Sequence, residues 1–244
     1  MAVSHAGVVY ANVETCQRFH GARGADRWAG PESFRGRPVR FSCILLLLVA
    51  VIVSAGAAPR RPTAPLVRVL EVDPTLVVDL SYRRADNVFR KRFYSSNVAL
   101  LRRPVAERLA RANARLRRLG FRIKIWDAYR PHSVQKRMWR LTPSKRFLVN
   151  PRFGSHHSRG AAVDVTLVDL TGRPVPMPTP HDEFSRRARR GALQGVSRAA
   201  RANWRRLDKA MRAVGFRPLV REWWHFDDPH ARRYALADIP LPRE

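Results

Sequence analysis

The sequence predicts an α+β fold: a single domain with a central antiparallel sheet flanked by helices. Three observations carry this. Short stretches alternate apolar and polar residues, the clearest being Phe121-Arg122-Ile123-Lys124-Ile125, and such a period of two belongs to strands. Two longer stretches, Pro104–Leu119 and about 196–214, place apolar residues at helical spacing. Strand and helix signals do not alternate in regular βαβ units, which argues against an all-parallel sheet.

In chain order, clustered Val and Leu between Val67 and Leu80 predict one or two strands. The first long helix brings Val105, Leu109, Ala112, Leu116 and Leu119 to one face, with Pro104 in its first turn and Gly120 as its C-terminal stop. The strand from Phe121 runs into Asp127-Ala128-Tyr129-Arg130-Pro131, and a short helix follows over His132–Arg140. A polar loop reaches Ser158. Val163, Val165 and Leu167 then mark a strand with Asp164 on the opposite face. Four prolines within 174–182 make that stretch a loop. The second long helix carries Ala200, Trp204, Leu207, Met211 and Val214 and ends at Gly215, and a last strand is expected over Leu219–Phe226.

Only part of the chain reads as this domain. Phe41–Ala58 has no charge, follows the basic segment Arg35-Gly36-Arg37-Pro38-Val39-Arg40, and ends in small residues. That order is a secretory signal, with cleavage near Ala57 or Ala58. An uncleaved membrane anchor is the alternative, the run being at the short end of the roughly 17–25 residues a span requires. Residues 1–40 read as a disordered leader or as a start placed too far upstream, 59–64 as a linker and 65–244 as the domain. The expected location is periplasmic or secreted, with transient membrane contact through the N-terminal segment, or membrane-anchored.

The net charge is +28, from 47 basic and 19 acidic residues. The arginines are dispersed and lack the interleaved aromatics of a base-stacking surface, so no nucleic-acid partner is expected. Cys16 and Cys43 both lie upstream of the domain. Any metal in the domain must therefore be held by imidazole and carboxylate.

Two stretches hold such groups: Ser155-His156-His157-Ser158-Arg159-Gly160-Ala161-Ala162-Val163-Asp164 and Glu222-Trp223-Trp224-His225. Neither is specific alone. A His and an Asp seven residues apart are common, and a Trp-Trp-His stretch is more often core than ligand. Glu222 and His225 share a side only if they sit at a strand end, a bulge or a turn, because residues three apart on a regular strand face opposite ways.

Together, in this order, the two stretches resemble the pattern Ser-x-His-x-x-Gly-x-Ala-x-Asp followed by Glu-x-Trp-His. That pattern belongs to the zinc D-alanyl-D-alanine dipeptidases, the family of the vancomycin-resistance dipeptidase, and the resemblance covers about residues 65–230. It implies a DD-peptidase-like fold and one Zn²⁺ per chain, with His157, Asp164 and His225 as ligands. It implies Glu222 as the general acid/base acting on zinc-bound water, and His156 as a neighbour of the site.

Arg130 matches the family's catalytic arginine, which would stabilise the oxyanion. Ser155 matches a position near the substrate. Asp182 matches the acidic residue that receives the free ammonium of a small dipeptide, which would disfavour longer chains. Two positions depart from the family: Pro178 stands where glycine is usual, and His181 where an aromatic or apolar residue is common. The implied activity is hydrolysis of D-Ala-D-Ala to free D-alanine in cell-wall metabolism. The alternatives are a zinc D,D-carboxypeptidase acting on peptidoglycan stems and, from another class, a non-catalytic binder of cell wall or polyanion. The sequence leaves the oligomeric state open.

Overall fold

The helix over Arg103–Arg117 (α2) shows how the sequence pattern becomes a core. Its residues Val105, Leu109, Ala112 and Leu116 are completely buried. Leu119, placed on the same face by spacing, lies beyond the helix end and is 59 % exposed. The chain has already turned there, through Gly120 at φ +83°. The protein is described by a computed structural model over residues 64–142 and 145–243. The leader, the apolar segment 41–58 and linker residues 59–63 lie outside the described residues.

The remaining elements are β1 (Leu66–Arg68), α1 (Val69–Val72), β2 (Val77–Val78), β3 (Leu100–Arg102), β4 (Phe121–Asp127), α3 (His132–Leu141), β5 (Ala162–Asp169), α4 (Arg198–Ala213), β6 (Arg217–Pro218) and β7 (His225–Asp227). The main sheet has the order β2-β4-β5-β7-β6, and β1 pairs with β3 in a separate two-stranded sheet. Pairing is antiparallel throughout the main sheet except at one edge, where β2 runs parallel to β4. The helices α2 and α4 pack together, and α2 lies on β4. The fold is thus the expected α+β domain.

Two expectations change. The Val67–Leu80 segment does hold two strands, but one helical turn, α1, separates them. The strand expected over Leu219–Phe226 is instead a six-residue turn, 219–224, closing the β6–β7 hairpin. Its two tryptophans are buried without being in a strand. Trp223 and Trp224 are each 1 % exposed. Their backbone groups bond elsewhere: Trp223 N–H donates to Ala188 O, and Trp224 O accepts from Val165 N–H.

Caps and buried polar groups fix the element ends. Ser197 accepts from Ala200 N–H at the start of α4. On α2, the fully buried Asn113 donates to Asp73 and Thr75 and accepts from Ile123 N–H. One amide therefore ties the helix to β4 and to the turn before β2.

Candidate metal centre and its cavity

The centre is built on one row across the sheet. Asp127, Asp164 and His225 stand opposite one another on β4, β5 and β7. The β4–β5 register shifts between Ile125 and Asp127, a bulge that re-aims the end of β4. His157 joins from a short 3₁₀ turn, His157–Arg159, just before β5. That turn ends on Gly160 at φ +67°, where a Cβ would lie 2.4 Å from the Leu66 side chain. Both the left-handed backbone and the close approach demand glycine.

Donor atoms of His157, Asp164 and His225 all lie within 4.8 Å of one another. His225 Nδ1 is 2.9 Å from Asp164 Oδ1 and 3.2 Å from His157 Nε2, and His157 Nε2 is 3.5 Å from Asp164 Oδ2. A tetrahedral cation with bonds near 2.0–2.1 Å places its ligands about 3.3 Å apart, so this spacing suits a zinc-sized ion. The outer ring nitrogens are held in the fitting state. His157 Nδ1 donates to Ala128 O at 2.7 Å, and His225 Nε2 donates to Asp227 Oδ1 at 2.9 Å. Each bond fixes the tautomer that turns a lone pair inward. Asp227 in turn contacts His156 Nδ1 at 2.9 Å, so His156 touches a ligand's partner and not the centre.

The carboxylates and imidazoles of the centre act strongly on one another. Burial pushes the Asp164 carboxyl up, but His157, His181 and His225 hold it well below the usual carboxylate range. Burial pushes the His225 imidazole down, and Asp227 and Asp164 more than reverse this. Glu222, on the hairpin turn, reaches within 4.0 Å of His225 Nδ1. The turn satisfies the demand made by the three-residue spacing of these two residues. Burial, with Asp164 and Asp182 adding to it and His225 opposing, pushes the Glu222 carboxyl up to about 7. A carboxyl so placed exchanges protons readily near neutrality.

Arg130 is 4 % exposed, its guanidinium held by Asp127 Oδ2 through Nε and Nη2 and by Gln135 Oε1 through Nη1. Tyr94 O–H donates to the other Asp127 oxygen at 2.6 Å. Three of the five guanidinium N–H groups are thereby taken, which leaves two for a ligand. Ser155 Oγ accepts from His157 N–H at 3.2 Å and so shapes the turn that carries His157. Asp182 adopts φ +57°, and its Oδ2 accepts from Tyr82 O–H at 2.8 Å. A non-glycine residue in that conformation stores strain of a kind found at binding sites.

All seven residues singled out from the sequence (Arg130, Ser155, His157, Asp164, Asp182, Glu222 and His225) line one cavity of about 610 Å³. The sequence reading missed Tyr82, Asp127, Gln135 and Asp227. Asp127 alone carried a signal, its i,i+3 spacing to Arg130. His181 was noted only as a departure from the family, yet its ring stacks on Trp126 beside Asp164.

Two imidazoles and a carboxylate facing one point, beside a protonatable glutamate in a cleft, define a domain that could hold a metal ion next to a proton-exchanging group. The sequence comparisons give the family. The pattern of the peptidase M15 family, described as D-ala-D-ala dipeptidase, matches residues 62–239, and the chain belongs to this family. It is 34% identical over 174 residues to a D-alanyl-D-alanine dipeptidase of Escherichia coli (strain K12), covering 71% of this chain and 90% of the relative. It is 32% identical over 187 residues to the D-alanyl-D-alanine dipeptidase of Streptomyces coelicolor, covering 67% and 91%. For the one from Enterococcus faecalis the identity is 31% over 185 residues, covering 67% and 87%.

Proposed function

We propose that this chain is a zinc dipeptidase that hydrolyses D-alanyl-D-alanine to free D-alanine in cell-wall metabolism. The observation that carries the reading is the meeting of His157, Asp164 and His225 within 4.8 Å, in the cavity that Glu222 also lines. The names of the relatives supply the substrate.

His157, Asp164 and His225 would hold the zinc, which polarises the peptide carbonyl and acidifies water when bound. Glu222 takes a proton from the attacking water and returns it to the leaving amine. The two free N–H groups of Arg130 face the oxygen on which charge develops. Asp182, oriented by Tyr82, pairs with the ammonium of the substrate. A longer chain has no ammonium at that point and leaves the buried carboxylate unpaired, which is the basis for preferring a dipeptide. Ser155 keeps the His157 turn in shape at the edge of the substrate space. Export through the 41–58 segment would bring the enzyme to its substrate outside the cytoplasm.

The test is an assay of free D-Ala-D-Ala against a muropeptide, with Glu222→Ala as control. We expect the dipeptide to be cut, and the variant to lose turnover while retaining zinc. Cleavage of the muropeptide alone would move the reading to a D,D-carboxypeptidase. Near wild-type turnover by the variant would remove the mechanism.

A further inference from the structure

We propose that His181 is a positioning residue: one immobilised imidazole that ties the metal-ligand carboxylate of Asp164 to the ammonium-pairing carboxylate of Asp182. The inference rests on the function proposed above for those two residues.

The ring has little freedom. It stacks on Trp126 at 4.9 Å between centroids, meets the edge of Trp224 at 5.5 Å and leans on Tyr82 at 6.0 Å. Its Nδ1 is 2.9 Å from Ser81 Oγ, and its side chain is 8 % exposed. So held, Nε2 lies 3.6 Å from Asp164 Oδ2 and 3.6 Å from Asp182 Oδ1. It is buried and, among the described residues, makes no hydrogen bond.

The proton inventory then follows from the neighbours. Ionised carboxylates only accept, so the hydrogen that faces them sits on Nε2, while Nδ1 pairs with the Ser81 hydroxyl. An N–H suspended between two buried anions has two consequences. It supplies positive potential where two carboxylates converge. It also gives either carboxylate a donor within a few tenths of an ångström of a full hydrogen bond.

For Asp164 that donor restrains the carboxylate from outside the ligand triangle, the kind of support that orients a ligand before the cation arrives. For Asp182 it complements Tyr82, so that one oxygen faces a hydroxyl and the other an imidazole N–H. His181 is not itself a ligand: among the described residues, the donors close enough to share an ion are those of His157, Asp164 and His225. A phenylalanine would keep the stacking and delete the donor, which makes the role separable from packing.

The experiment titrates metal-free wild type, His181→Phe, His181→Gln and Ser81→Ala with Zn²⁺ against a competing chelator. It then measures kcat and KM on D-Ala-D-Ala, with melting curves to establish that each variant is folded. We expect His181→Phe to weaken zinc binding by about 10-fold or more and to raise KM beyond any fall in kcat. His181→Gln, which keeps an N–H near Nε2, should recover much of both losses. Ser81→Ala, which leaves the ring in place, should move both readouts in the direction of His181→Phe by a smaller factor, and it carries the test should the phenylalanine variant not fold. Zinc affinity and KM unchanged in His181→Phe and Ser81→Ala, or a glutamine variant no better than phenylalanine, would overturn the role. Wild type that takes up no zinc would remove the functional reading first, and that outcome is visible before any variant is compared.

Discussion

Asp164 and His225 are cross-strand partners, directly opposite on β5 and β7, with His225 Nδ1 2.9 Å from Asp164 Oδ1. Sixty-one residues separate them in sequence, and sheet register alone makes them neighbours. Because opposite residues on paired strands share a face, the ladder brings these two candidate ligands together. The energetics of the centre therefore depend on groups outside the ligand set, and these give the clearest tests.

Asp227 holds His225 Nε2, so removing its carboxylate frees the ring to turn and lowers the basicity of Nδ1. We expect Asp227→Ala to weaken zinc binding by about 10–100-fold, read by chelator competition. His156, which loses the same partner, should become more mobile. Equal zinc affinity in variant and wild type would show that the β7 backbone alone orients His225.

Arg130 presents a planar fork that a lysine cannot reproduce. Arg130→Lys keeps the positive charge beside Asp127 but loses the planar fork at the cavity wall. A fall in kcat/KM of about 10²–10³ with zinc affinity unchanged is the expected result. A proportional loss of zinc would assign the arginine to building the site and not to the reacting oxygen.

Asn113 is completely buried and makes three hydrogen bonds, two to the turn before β2 and one to β4. Asn113→Ala leaves the Ile123 N–H without its acceptor and opens a small cavity. A loss of about 2–3 kcal/mol is expected, measured by denaturant unfolding. A change within about 0.5 kcal/mol would mean that water or a backbone shift replaces the amide.

Asp79 predicts the acid side of the stability curve. Burial pushes its carboxyl up, but hydrogen bonds from Lys124 and Arg84 leave it below its ordinary value of 3.8. A carboxylate depressed on folding stabilises fully above its unfolded pKa, and that contribution is lost as pH falls through the folded value. Asp79→Asn should be less stable than wild type near pH 7, by up to about 1 kcal/mol for so exposed a pair. The gap should close below pH 4. A gap that persists undiminished at pH 2.5 would mean that the side chain acts through shape and not charge.

The helices were legible because their period is local: Val105, Leu109, Ala112 and Leu116 declare a buried face without knowledge of what covers it. The turn at 219–224 was not, because Trp223 and Trp224 are apolar enough for a strand, and only their backbone partners on Ala188 and Val165 show that they are not in one. The candidate ligands were legible through a motif whose spacing is short-range, from Ser155 to Asp164 and from Glu222 to His225.

What the sequence determined by itself was therefore the fold class, the family pattern and a set of candidate residues that the fold gathers around one cavity. Tertiary structure alone decided how those residues are tuned. The sheet row set Asp127 and Asp164 opposite each other, the hairpin turn swung Glu222 toward His225, and the proline-rich loop carried His181 between two carboxylates. The physical reason is range. Side-chain periodicity and turn chemistry act over a few residues, whereas burial, charge pairing and hydrogen bonding at the centre join segments as far apart as Ser81 and His225, and those contacts exist only once the chain has folded.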